Sequence, residues 1–205
     1  MRVCHSASVP PLVAGLLAGL LAGLLAVALD GCYPVESIYP LYTDRDTTWD
    51  ANLAGRWGDP DSSDGTGCEI RRGMRGACEF LLVERQASAS YDGRFVRLGG
   101  KSYLDLVFSS IEVPPSYSTV EIKGLFFPHH VILRLEATRD SLRLNYIDDV
   151  RLLKYLRARP SALATLDIEG EGPRIVAPTA TLRRFLTAHG AELMPLEGGS
   201  MHRLR

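Results

Sequence analysis

Charge of one sign is what this chain of 205 residues has least of, since 23 Lys and Arg stand against 24 Asp and Glu for a formal net charge of −1. No long run of either sign occurs, so the chain carries no electrostatic footprint for a nucleic-acid partner. Arg71, Arg72 and Arg75 read instead as a solvated hairpin tip. A G-x-S-x-G elbow is missing, which removes the commonest sequence sign of a serine hydrolase. Gly99–Ser102 has the end of a phosphate-binding loop, but Phe95 stands where its first glycine belongs. The residues after Ser102 alternate as a strand does, without opening a helix whose amides could cradle an anion. His129 and His130 are adjacent, and neighbouring strand residues point to opposite faces, so the two cannot chelate one ion together. Asp148-Asp149 and Glu169 with Glu171 fit a helix start and a turn. No cofactor, metal site or catalytic residue is expected from these patterns.

Cysteine is also scarce, with Cys4, Cys32, Cys68 and Cys78 as the full set. What is abundant lies at the start. No charge occurs from Leu12 to Leu29, and Ala-Gly-Leu-Leu repeats from Ala14, Ala18 and Ala22. Arg2 precedes the run, and Asp30, Glu36 and Asp44 follow it. A basic start, an apolar segment and small residues at a boundary mark an export signal. The positive-inside bias then puts the rest of the chain outside the cytoplasm.

Three fates of that segment stay open. Cleavage after Ala26-Val27-Ala28 would start the mature chain at Leu29 and leave Cys32 a free thiol. Retention would give a signal anchor with Gly15, Gly19 and Gly23 at small-xxx-small spacing. Thirdly, Leu29-Asp30-Gly31-Cys32 resembles the lipobox of bacterial lipoproteins, with Asp30 where that family favours a small residue. The resemblance implies that Cys32 receives a diacylglycerol and becomes the new N-terminus, attached to a membrane. Tyr33 stands where an aspartate would signal inner-membrane retention, which implies the outer membrane in a cell that has one. Cysteine parity favours this fate. Export leaves Cys32, Cys68 and Cys78, and an odd count in an oxidising compartment strands one thiol. Lipidation consumes Cys32 and leaves the other two to each other.

The expected layout is a signal over residues 1–31, a lipid-anchored tether over 32–52 and a single β-rich domain over 53–205. The tether carries two prolines and no period, and Tyr39, Tyr42 or Trp49 could pack it on the body. Beyond Leu53 alternation dominates. Leu104, Leu106 and Phe108 share one face against Tyr103, Asp105 and Val107, and Val131, Leu133, Leu135 and Ala137 share a face in the next run. Leu142, Leu144 and Tyr146 repeat the pattern after a polar link at Arg139-Asp140. Residues 80–85 and 165–170 add strands, and Asp92-Gly93 reads as a tight turn. A hairpin turning at Gly73 would set Cys68 opposite Cys78, close enough for a disulfide, with two buried thiols as the alternative. Two helices follow. One opens on Asp148-Asp149 and carries Leu152, Leu153 and Leu156; the other has Thr179 as a cap, Leu182, Phe185, Leu186 and His189 as a packing face, and Gly190 as a stop. Residues 201–205 suit a closing strand.

Gly55-Arg56-Trp57 resembles the G-x-W signature of lipocalins and related calycin barrels. That resemblance implies that Trp57 closes the base of a barrel and that an arginine from late in the chain, Arg203 or Arg205, stacks on it. The expected fold is therefore mainly β (α+β), an antiparallel calycin-like barrel or strongly curved sheet with two late helices. The expected role is a lipid-anchored, non-enzymatic envelope protein whose barrel binds an apolar small molecule or lipid. An envelope interaction module, with Phe126 and Phe127 on an exposed connection, is the alternative. An extracytoplasmic hydrolase comes third.

Overall fold

Alternating strands that are apolar on one face must cover that face, and this chain does so by curling one sheet until its edges meet. The structure, a computed structural model, describes residues 34–46, 49–61, 65–84, 87–112, 129–168, 172–196 and 199–204, without the side chains of Arg75 and Glu84. The expectations for residues 1–33, including Cys32, and for Phe126, Phe127, Glu169, Glu171 and Arg205 lie outside the described residues.

Strands β1 (Glu36–Ser37), β2 (Gly55–Gly58), β3 (Gly67–Arg72), β4 (Ala77–Glu84), β5 (Ala87–Leu98), β6 (Lys101–Glu112), β7 (His130–Ala137) and β8 (Ser141–Tyr146) come first. Helix α1 (Asp149–Ala158), β9 (Thr165–Ile168), β10 (Gly172–Ile175), α2 (Thr179–Leu193) and β11 (Met201–Arg203) follow. Strands β2 to β8 pair in sequence order, and β11 lies between β8 and β2, giving a closed antiparallel barrel of 8 strands. The short C-terminal β11 is thus the closing strand. Beyond the end of β8, the same edge of β7 takes β1 at His130 and Val131, and β10 and β9 extend the sheet from there as a strip outside the ring.

Two cores result. Trp57, Ile70, Phe80, Phe95, Leu104, Leu106, Leu135 and Leu142 fill the barrel. Outside it, Leu152 and Leu156 of α1 and Leu182, Phe185, Leu186 and Leu193 of α2 pack with Val96, Tyr103 and Ile132 from the barrel wall. Each fully buried residue of this size contributes about 1.5 to 3 kcal/mol. Because the wall of β5, β6 and β7 is covered on both sides, Tyr103, Leu104, Asp105 and Leu106 are all buried in succession. Residues 34–46, read as a tether that Tyr39, Tyr42 or Trp49 could pack on the body, join the outer core through Val35 and Leu41 with Tyr42 packed against it, while Tyr39 is exposed; the compact unit runs from Pro34 to Arg205.

Four local expectations are corrected. The β3–β4 hairpin reverses through a 3-10 turn at Met74–Gly76, with Gly76 at φ +75°, while Gly73 stays extended. The register therefore faces Cys68 with Leu82 and Cys78 with Arg72. Four residues of offset are about 14 Å along a strand, beyond the roughly 7 Å that a disulfide spans. Cys68 and Cys78 are accordingly free, buried thiols, the alternative left open above.

Asp92-Gly93 is no turn. Strand β5 runs through it, and a Cβ on Gly93 would press on Cys78 Sγ and Leu106, so this glycine answers crowding inside the barrel. The real β5–β6 turn is Gly99-Gly100, with φ of +54° and +75° as a two-residue hairpin link requires.

Gly190 does not stop α2 either. The helix continues to Leu193, and a Cβ at Gly190 would collide with the Tyr103 hydroxyl, which donates to Leu186 O at 3.1 Å. Thr179 opens that helix, but its hydroxyl donates to Pro40 O at 2.7 Å and caps no helical amide.

Candidate functional site

The barrel base is tied by one guanidinium. Register places Arg203 opposite Trp57, and the Arg203 guanidinium carbon sits 4.2 Å from the centroid of the indole. Trp57 is fully buried and its indole N–H donates to Leu53 O at 3.0 Å. Arg203 Nε donates to Arg139 O at 2.8 Å, and its two terminal nitrogens donate to Ala54 O and Asn52 O. One planar side chain thus joins the β7–β8 link, the entrance to β2 and the 3-10 turn Ala51–Leu53. Gly55 permits this closeness, because at φ +135° it carries no side chain and a Cβ there would strike Arg203. A cation over an indole adds about 0.5 to 2 kcal/mol.

Above that turn the same end of the barrel holds a cavity of about 370 Å³. Segment 49–53 forms one side of it with Trp49 and Leu53, and β5 and β7 form the other with Phe95, Leu135 and Ala137. Trp49 meets Phe95 edge-on at 5.6 Å. Arg97 and Ser102, directly paired across β5 and β6, supply polar groups at the cavity. Asp50 also borders it, but its carboxylate caps the 3-10 turn by accepting Asn52 N–H at 3.0 Å.

A buried polar pair lies on the outer wall. Asp105 Oδ1 is 2.7 Å from His130 Nδ1, and Asp105 Oδ2 accepts Leu41 N–H at 2.6 Å. Tyr42 packs edge-on to the His130 ring at 6.0 Å. Both carboxylate oxygens are therefore engaged in fastening the N-terminal segment to β6 and β7. His129 turns to a different partner, Glu36 at 2.8 Å, and Glu36 also pairs with Arg174 at 3.0 Å. The two histidines thus stand apart in function, and among the described residues no three His, Cys, Asp or Glu side chains converge as a metal site.

Elsewhere, Asp148 caps α1 by accepting Arg151 N–H at 2.7 Å. His189 is packed between Tyr155 and Phe185, with Nε2 2.9 Å from the Tyr155 hydroxyl. Burial pushes the Cys68 and Cys78 thiols up to about 12 each, so neither ionises readily. Sequence patterns passed over Asp105 and the Trp49 cavity. A carboxylate flanked by leucines in β6 was the signal for the first; nothing local marks the second, because its walls come from four separated segments.

The architecture is compatible with a calycin-like fold. Compared with family models, curated proteins and solved structures, the chain gives no match.

Proposed function

We propose that the protein is a lipid-anchored, non-enzymatic binding protein of the cell envelope, carrying a small apolar molecule at the base of its barrel. The observation that carries the reading is the cavity of about 370 Å³ lined by Trp49, Leu53, Phe95, Leu135 and Ala137. Its size falls within the usual range for small-molecule sites, about 300 to 1,000 Å³, and its lining combines the apolar side chains with Asp50, Arg97, Ser102 and Tyr103. Arg97 and Ser102 would hold a polar end of the ligand. Attachment rests on the sequence: Arg2, the uncharged run from Leu12 to Leu29, and Cys32 at its end.

Two measurements test the two halves. The intact mass of the membrane-extracted chain is expected to show a start at Cys32 and a diacylglyceryl addition; an unmodified sulfur rejects the anchor. For the cavity, N-phenyl-1-naphthylamine is titrated into the extracted protein and the emission of its two tryptophans, Trp49 and Trp57, is followed. Binding is expected to quench that emission, and Ala137→Phe, which fills the cavity, is expected to weaken binding by about tenfold or more, equivalent to a loss of about 1.4 kcal/mol or more. Undiminished binding by the filled variant, or no binding by the parent, rejects the ligand site.

A further inference from the structure

We propose that the strip formed by β9, β10 and β1 lies against the lipid surface of the bilayer, presenting Ile38, Tyr39 and Leu166 to it. This deepens the anchored reading above and rests on it. The first support is the shortness of the link. Cys32 precedes Pro34 by two residues in the sequence. At full extension that is about 7 Å. Val35 is already buried, and Glu36 and Ser37 are already paired with β7 on one side and β10 on the other. No slack is left for a spacer, so an acylated Cys32 would keep the start of β1 within about the depth of one headgroup layer of the membrane.

The second support is where exposed apolar side chains fall. Leu166 is paired with Arg174, and Arg174 with Glu36, so the three form one row across the strip. Leu166 is 56 % exposed. Ile38 and Tyr39 follow β1 directly, both are exposed, and Ile38 N–H bonds to Ile175 O at 3.0 Å. Such residues lower their free energy by leaving water, and the link length decides that a lipid surface is what stands nearest.

Charge at that end is of both signs, with Asp167 exposed beside Leu166 in β9 and basic residues on the neighbouring helix. The α1 terminus carries exposed Arg157 and Arg159, and backbone bonds lead from Arg159 O to Ala162 N–H and from Ala164 O to Val176 N–H, next to Ile38 in the strip. Basic side chains at that end suit anionic headgroups.

The test uses the full chain, acylated by its host and reconstituted in vesicles of phosphatidylethanolamine and phosphatidylglycerol. Ile38→Cys and Leu166→Cys are each labelled with bimane, with Met74→Cys at the β3–β4 tip, at the other end of the barrel, as reference. The buried native thiols stay unlabelled, and the parent protein checks this. A headgroup spin-labelled phospholipid is expected to quench positions 38 and 166 several-fold more than position 74. Equal quenching at the three positions, in a chain whose mass shows the acyl groups, overturns the proposal and leaves the anchor standing. A mass showing unmodified Cys32 overturns the anchor, and this inference with it.

Discussion

At the scale of single residues, the strongest commitments concern groups with many partners and little room. Arg203 is one, because its guanidinium serves Arg139 O, Ala54 O and Asn52 O while lying over Trp57. Arg203→Lys keeps a cation near the ring but loses the planar fork. It is expected to cost about 2 kcal/mol, read as a lower urea midpoint at unchanged slope. A lysine variant as stable as the parent would mean that charge over the indole, and not the three carbonyl bonds, holds the base. Gly55-Arg56-Trp57 and a late arginine were visible in the sequence as a pattern. The carbonyls that Arg203 collects were not, since backbone groups carry no letter of their own.

Among elements, α2 shows how a neighbour reverses a propensity. In an exposed helix Gly→Ala gains about 1 kcal/mol. At Gly190 the new methyl would meet the Tyr103 hydroxyl of β6, so Gly190→Ala is expected to lose about 1 to 3 kcal/mol. Tyr103→Phe, which also gives up the bond to Leu186 O, should restore part of that loss in the double variant. A double-mutant cycle by urea unfolding is expected to give a coupling of about 1 kcal/mol, and additive costs would contradict the contact. Reading Gly190 as a helix stop from sequence follows the usual preference, but the glycine is there to admit a ring from another element. Asp92-Gly93 repeats the lesson inside β5, where Cys78 and Leu106 leave no space for a side chain.

For the whole molecule, the question is what holds residues 34–46 on the body. Asp46 pairs with Arg183 of α2 at 2.6 Å, and Arg183 also donates to Leu41 O at 2.9 Å. Burial pushes the Asp46 carboxyl up, but the bonds from Arg183 and Thr43 outweigh it and hold the group below its usual value of 3.8. A depressed native value means that the clamp contributes fully above the unfolded value and is lost as pH falls through the native one. Urea midpoints of the parent are therefore expected to fall more steeply below about pH 4 than those of Asp46→Asn, the two curves converging in acid. Parallel curves would show that Asp46 titrates alike in both states.

The order of letters alone determined the strands of β6, β7 and β8, the two late helices and the closing strand, because period and capping are written locally. Parity of cysteines gave no pairing, since the position of the β3–β4 reversal depends on which glycine adopts positive φ, and Gly76 does so while Gly73 does not. Tertiary structure alone decided that Val35 and Leu41 anchor residues 34–46 in the outer core, that Asp105 is buried against His130, and that a cavity opens beside Trp49. Each of these joins segments far apart in the chain, and a local pattern records the face a residue presents without recording what comes to cover it.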